Sequence, residues 1–193
     1  MQEELARLSN YVESALTIAR AEQGRLELHA ERIQLKEFLI DVIEPFTFLA
    51  ATAGRKLLCS CPIEVQIWSD RNALKQILFN VLNNALQHGA GNIFLRCRVR
   101  AGEVVILIGN GLPAKAELPG QGLGIGLKLV RALIQQMPKA RMKFRRGSFF
   151  CVQLRLPVTQ TQTSDGAIPS TGSDDINLKM LVPRSSPSEA PMK

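Results

Sequence analysis

The chain has 193 residues, 46% of them hydrophobic, and a formal charge of +7, enough for one domain with appendages. No apolar run approaches the roughly 20 residues that span a bilayer, and "MQEELARLSN" has neither the charge pattern nor the apolar core of a secretory signal. From Val158 onward three basic residues stand against four acidic ones, so the rest carries 21 against 13 and a net +8, which suits an anionic partner.

Leu5, Leu8, Val12, Leu16 and Ile18 or Ala19 recur at helical steps, predicting a lead helix over residues 3–22 that ends at Gly24. A stripe on such a helix needs a partner, either the domain behind it or another chain. "LELHAERIQL" (26–35) alternates like a half-buried strand. Helical spacing then returns with Phe38, Leu39, Val42 and Ile43, where Pro45 predicts a kink or break. Short strands are expected at Leu57–Ser60 and Val65–Trp68. Asp70 stands at an N-cap position before a helix from Arg71 to Gln87.

The hairpin "NIFLRCRVR"–"EVVILIG" turns at Ala101-Gly102. The helix "GLKLVRALIQQM" and two strands, "ARMKFRR" and "FFCVQLRLP", follow. Beyond Pro157 the composition turns to Thr, Ser, Gly, Pro and Gln, and residues 159–193 read as a disordered tail. The sum is an α+β fold: a two-layer sandwich of a mixed, mostly antiparallel sheet on about three helices, behind one lead helix.

Cys59-x-Cys61 lacks zinc spacing, and Cys97 and Cys151 sit in strand-like runs, so all four cysteines read as structural thiols. The basic strands "RCRVR" and "RMKFRR" lack an aromatic stacking platform, and no nucleic-acid partner is expected.

The candidate chemistry lies on the 71–87 helix and in two glycine clusters. Asn80, Asn83 and Asn84 are poor helix formers in mid-helix, and Asn80, Asn84 and Gln87 share one face. Carboxamides one turn apart can offer oxygens to a hard cation and NH₂ groups to phosphates. Glycines entering a helix, as in "GLGIGL", let a backbone approach a phosphate closely.

"NVLNNALQHG" (80–89), "GNGLPA" (109–114) and "GLGIGL" (122–127), in this order, resemble the N box and two glycine boxes of the ATP-binding catalytic domain of sensor histidine kinases. That domain belongs to the gyrase, Hsp90, histidine kinase and MutL superfamily and has the Bergerat-type fold. "RLSNYVESALTIARAEQGRLEL" is similar to the end of the family's dimerisation helix, so the resemblance spans residues 1 to about 157. It implies 1–23 as the end of that helix, 24–158 as the ATP-binding domain, and 159–193 as tail.

The resemblance further implies ATP and Mg²⁺ as cofactors, with Asn80 and Asn84 facing the metal and triphosphate, and Gln87 and His88 near the phosphates. Gly122, Leu123, Gly124, Ile125, Gly126 and Leu127 would cradle the phosphates, while Gly109, Asn110 and Gly111 would border the base.

The family's adenine-reading Asp falls on Gly109 in this alignment, its second glycine on Pro113, and only Lys115–Gln121 replace its longer lid. Weak ATP binding is therefore expected, or alternatively a degenerate docking or dimerisation module. The acceptor histidine is absent, since His29 and His88 both lie elsewhere, so the γ-phosphoryl group would pass to a histidine outside this chain and the fragment alone would be inactive. Expected partners are the dimerisation domain, a response regulator and a second copy in a homodimer. The expected location is the cytosolic portion of an inner-membrane sensor.

Overall fold

A computed structural model describes residues 2–61, 63–112, 124–147 and 149–161. Four helices and seven strands follow in the order α1 (Gln2–Glu22), β1 (Ala30–Gln34), α2 (Leu35–Thr52), β2 (Leu57–Ser60), β3 (Val65–Asp70), α3 (Arg71–His88), β4 (Ala90–Arg100), β5 (Glu103–Gly111), α4 (Ile125–Gln136), β6 (Arg141–Arg146) and β7 (Phe149–Thr161). The sheet runs β1-β3-β7-β5-β4-β2, with β6 also on β7. Only the β2–β4 pairing is parallel, so the sheet is mixed and the fold α+β as the sequence predicts.

The sheet's period of two divides its faces. Ile93, Leu95 and Cys97 of β4, Val104, Ile106 and Ile108 of β5, and Val152, Leu154 and Leu156 of β7 are buried in one core. The same core takes Phe38, Leu39, Val42 and Phe46 of α2, Leu74, Ile77, Leu78, Val81 and Leu82 of α3, and Leu129, Val130 and Leu133 of α4. The opposite face carries Arg96 and Arg98 of β4 and, across β5 and β7, Arg141, Lys143 and Arg145 of β6, which accounts for much of the positive charge. Val105 lies between Arg98 and Arg155 in register and is buried even on this outer face, where arginine stems can cover apolar surface.

The Ala101-Gly102 turn has φ of 50° and 73°, the doubly positive geometry of a tight hairpin, which the glycine adopts without steric cost. Asp70 caps α3 as expected, its carboxylate accepting from the Ala73 N–H at 2.8 Å and also from the His29 N–H at 2.6 Å. Phe144 faces inward, its ring 6.2 Å from that of Phe150.

Three expectations need correction. The strand expected over 26–35 is only Ala30–Gln34, because Leu35, fully buried, already starts α2 while Leu26 and Leu28 pack on the core without a ladder. Pro45 does not break α2, which runs through to Thr52. Pro45 and Asp41 are both exposed, so water can satisfy the carbonyl that proline leaves without a partner. Strand β7 continues past residue 158 to Thr161, because β3 offers it a further ladder (Gln66↔Gln160, Val65↔Thr161). The rest of the expected tail lies outside the described residues.

Lead helix α1 packs against α4, where the Gln136 side-chain amide donates to the Ala21 carbonyl at 3.2 Å. The stripe residues Leu5, Leu8, Val12 and Leu16, with Tyr11, remain 52–63% exposed. No helix among the described residues is long and apolar enough to cross a membrane.

Candidate functional site

Helix α3 positions the site. It packs against α2 and α4 and lies over β5, and its Asn80 lies against Gly126 at the α4 N-terminus. Asn80 and Asn84 are half-buried, whereas Gln87 and His88 are exposed at the helix's C-terminal end. The Asn80 amide nitrogen donates to the Gln76 carbonyl at 2.8 Å, which fixes the side chain and leaves its oxygen directed at Gly126.

Gly126 is where α4 and α3 come closest. A Cβ there would lie 2.7 Å from the Asn80 Oδ1, nearer than carbon and oxygen pack, so the residue must be small. Gly124 starts α4 without any side-chain cap, and its carbonyl accepts from the Leu127 and Lys128 N–H groups. The first N–H groups of a helix have no partner within it, and they carry its positive dipole end. Those of Gly124, Ile125 and Gly126 thus form an anion-ready terminus beside Asn80. Gly122 and Leu123 lie outside the described residues, as do Pro113 and the short connection Lys115–Gln121.

The first glycine box differs from the sequence alignment in an informative way. Gly109 pairs with Cys151 and faces the outer side of the sheet, where a Cβ would meet the Phe150 carbonyl oxygen at 3.2 Å. A side chain at this position would point away from the core-facing side of β5. Asn110 shares the inward parity of Ile106 and Ile108.

Asn110 is only 1% exposed. Its amide nitrogen donates to the Gly111 carbonyl at 2.6 Å, while its Oδ1 has no partner. An orphaned buried acceptor costs free energy, and such groups in native folds usually meet a ligand or water.

Gly89 makes this placement possible, since a Cβ there would lie 2.1 Å from the Asn110 Nδ2. Gly111 in turn approaches Ala90, whose carbonyl oxygen would stand 3.0 Å from a Cβ. The glycines flanking Asn110 therefore bring β5, the end of α3 and the start of β4 into close backbone contact.

Arg55 was missed by sequence reasoning. Its guanidinium donates to the carbonyls of Leu86 at 2.9 Å, Ala85 at 3.1 Å and Gly91 at 2.5 Å. A cation on the last carbonyls of a helix complements its dipole, and this one ties the end of α3 to the segment after α2. Nothing local in "AGRKLL" signals a contact more than 30 residues away.

The arrangement offers a coherent set of groups. Asn80 and Asn84 present carboxamides, the α4 terminus presents N–H donors, and Asn110 presents an acceptor at the far end. Among the described residues, no group of three His, Cys, Asp or Glu side chains could hold a metal. A hard cation would share the carboxamide oxygens with oxygens of its own ligand, the habit of Mg²⁺.

Residues 69–160, from β3 to β7, match the family of histidine kinase-, DNA gyrase B-, and HSP90-like ATPases. The chain is 27% identical over 172 residues to the histidine protein kinase DivJ of Caulobacter vibrioides, covering 78% of this chain and 29% of DivJ. It spans well under half the length of the curated relatives it matches.

Among solved structures, the Acinetobacter baumannii histidine kinase AdeS superposes with a TM-score of 0.70 at 22% identity, over 82% of both chains. Full-length ShkA in complex with AMPPNP gives a TM-score of 0.68 at 22% identity, over 81% of this chain and 37% of that one. At these identities the structural matches establish the fold. Family model, relatives and fold converge on one likeness: residues 69–160 match the histidine kinase-, DNA gyrase B-, and HSP90-like ATPase family, and the chain is similar in sequence and in fold to histidine kinases.

Proposed function

We propose that the chain binds Mg-ATP between α3, the inner end of β5 and the N-terminus of α4, and presents its γ-phosphoryl group to a histidine outside this chain. The observation that carries the reading is the orphaned Oδ1 of Asn110. A buried acceptor there suits the amino group of adenine, so Asn110 takes the base-reading role. The N–H groups of Gly124, Ile125 and Gly126 bind the phosphates. Asn80 and Asn84 hold the metal, and Gln87 and His88 stand at the mouth of the site.

ATP brings the transferable phosphoryl group and Mg²⁺ the charge neutralisation; the chain contributes orientation and fixed dipoles. A neutral carboxamide in place of a carboxylate exchanges a charge-assisted bond of about 1.5–3 kcal/mol for one of about 0.5–1.5 kcal/mol. The difference amounts to roughly tenfold weaker binding, short of loss of function.

In a longer protein, the exposed stripe of α1 pairs with a second copy and brings the acceptor-histidine helices, and a response regulator then receives the phosphoryl group. Such a protein would hold this domain in the cytosol beneath an inner-membrane sensor.

The test compares Mg-ATP with inorganic triphosphate on wild type and Asn110→Leu. ATP affinity falls about tenfold in the variant while triphosphate affinity stays the same. Equal losses for both ligands would remove Asn110 from base recognition. Failure of wild type to saturate with either would leave the docking-module reading.

A further inference from the structure

A second chemical centre lies away from the nucleotide groove, at the sheet edge formed by β2. The pairing of β2 with β4 sets Cys59 beside Leu95 and ends at Ser60 beside Arg96, so Cys61, the next residue after β2, leaves the strand at the level where Cys97 follows Arg96 in β4. Neighbouring strands lie about 4.8 Å apart, within the roughly 4.4–6.8 Å over which Cα atoms of a disulfide are found. Both side chains face the core side, Cys97 buried within it and Cys61 packed against it yet partly open to solvent.

We propose that Cys61 and Cys97 form a hydroperoxide-reactive dithiol, in which Cys61 is the attacking sulfur and Cys97 the resolving one.

The surroundings divide the roles. Cys97 donates its S–H to the Cys61 sulfur, the Ile63 backbone N–H adds a second hydrogen bond, and the Lys36 ammonium contributes charge. Against some opposing burial these hold the Cys61 thiol down to about 7. The hydrogen bond to Cys61 and burial push the Cys97 thiol up, so the proton of the pair resides there. Cys59 and Cys151 are both raised, mainly by burial, and lack this activation.

A thiolate is the reactive form, and partial exposure admits a small oxidant. The Cys61 thiolate attacks the distal oxygen of a hydroperoxide, the O–O bond breaks, and the departing alkoxide or hydroxide takes a proton to leave as alcohol or water. The Cys61 sulfenic acid formed is then attacked by the Cys97 sulfur, which loses its proton. The S–O bond breaks, water leaves, and an S–S bond joins β2 to β4. Two thiols are oxidised by two electrons and one peroxide is reduced.

The experiment treats the full 193-residue chain with one equivalent of hydrogen peroxide at pH 7, followed by intact mass and peptide mapping. The expected result is a loss of about 2 Da, reversed by thiol reductant, with Cys61 linked to Cys97. Cys59→Ser retains this bond and Cys61→Ser abolishes it. Cys97→Ala leaves a sulfenic acid on Cys61 that a 1,3-diketone traps. A wild-type map showing no Cys61–Cys97 link, or a link through Cys59 instead, overturns the proposal even where the Cys97 variant fails to fold.

Discussion

Replacing Gly126 by Ala separates the stability of the domain from the competence of its site. A Cβ at Gly126 meets the Asn80 Oδ1 at 2.7 Å, and the atom that must yield is the end of a side chain rather than backbone. Asn80 can withdraw by giving up its 2.8 Å hydrogen bond to the Gln76 carbonyl, at a cost of about 1 kcal/mol. Ala for Gly within a helix returns about 0.5–1 kcal/mol. The two nearly cancel, so the thermal midpoint should move by no more than about 4 °C. The carbonyl assigned to the metal is displaced all the same, and affinity for Mg-ATP should fall about tenfold, or about 1.4 kcal/mol. The assay pairs a thermal melt with a titration using a fluorescent ATP analogue and Mg²⁺. Unchanged affinity in a folded Gly126→Ala protein would refute the placement of Asn80 at the ligand.

Gly89→Ala forces a Cβ to 2.1 Å from the Asn110 Nδ2 and 2.4 Å from the Ala85 carbonyl oxygen, so urea denaturation should show a loss of about 1–3 kcal/mol. Asp70→Ala removes the cap on the Ala73 N–H and the acceptor for the His29 N–H, and should cost about 1–2 kcal/mol by the same method. Arg55→Met frees three carbonyls around the end of α3 and should increase hydrogen exchange at Ala85–Asn92 relative to β7. Alkylation of Cys61 should rise with pH through about 7 as its thiolate forms, whereas Cys59 and Cys151, whose thiols are raised above the ordinary value, react only in more alkaline solution. A single common midpoint for all three, read by mass spectrometry, would contradict the hydrogen bond from Cys97.

The fold was largely legible because its signals are local and periodic. Leu74, Ile77, Leu78, Val81, Leu82 and Ala85 mark α3, and Asp70 marks its start, without help from the rest of the chain. Boundaries were missed where tertiary contacts decide them. Leu35 joins α2 rather than β1 because its side chain is needed in the core, and β7 outlasts Pro157 because β3 waits beside it.

In the site, the spacing Asn80–Asn84 and the glycines before α4 were readable, since helix geometry puts them on one face and one terminus. The inward placement of Asn110 was overlooked because the motif comparison weighed glycines above strand parity. The alternation Val104, Ile106, Ile108, Asn110 carried that placement within the sequence. Arg55 and the Cys61–Cys97 pairing were not legible, because each joins residues 30 or more positions apart through the α2–β2–β4 packing.

The central claim is that the groove between α3, β5 and α4 holds Mg-ATP. Its most direct test is a calorimetric titration of the wild-type chain with a non-hydrolysable ATP analogue, with and without Mg²⁺. Saturable binding of one ligand per chain, tightened by Mg²⁺, with that Mg²⁺-dependent gain reduced in Asn84→Ala, is the predicted result. Absence of saturation at millimolar ligand in a folded protein would contradict the account.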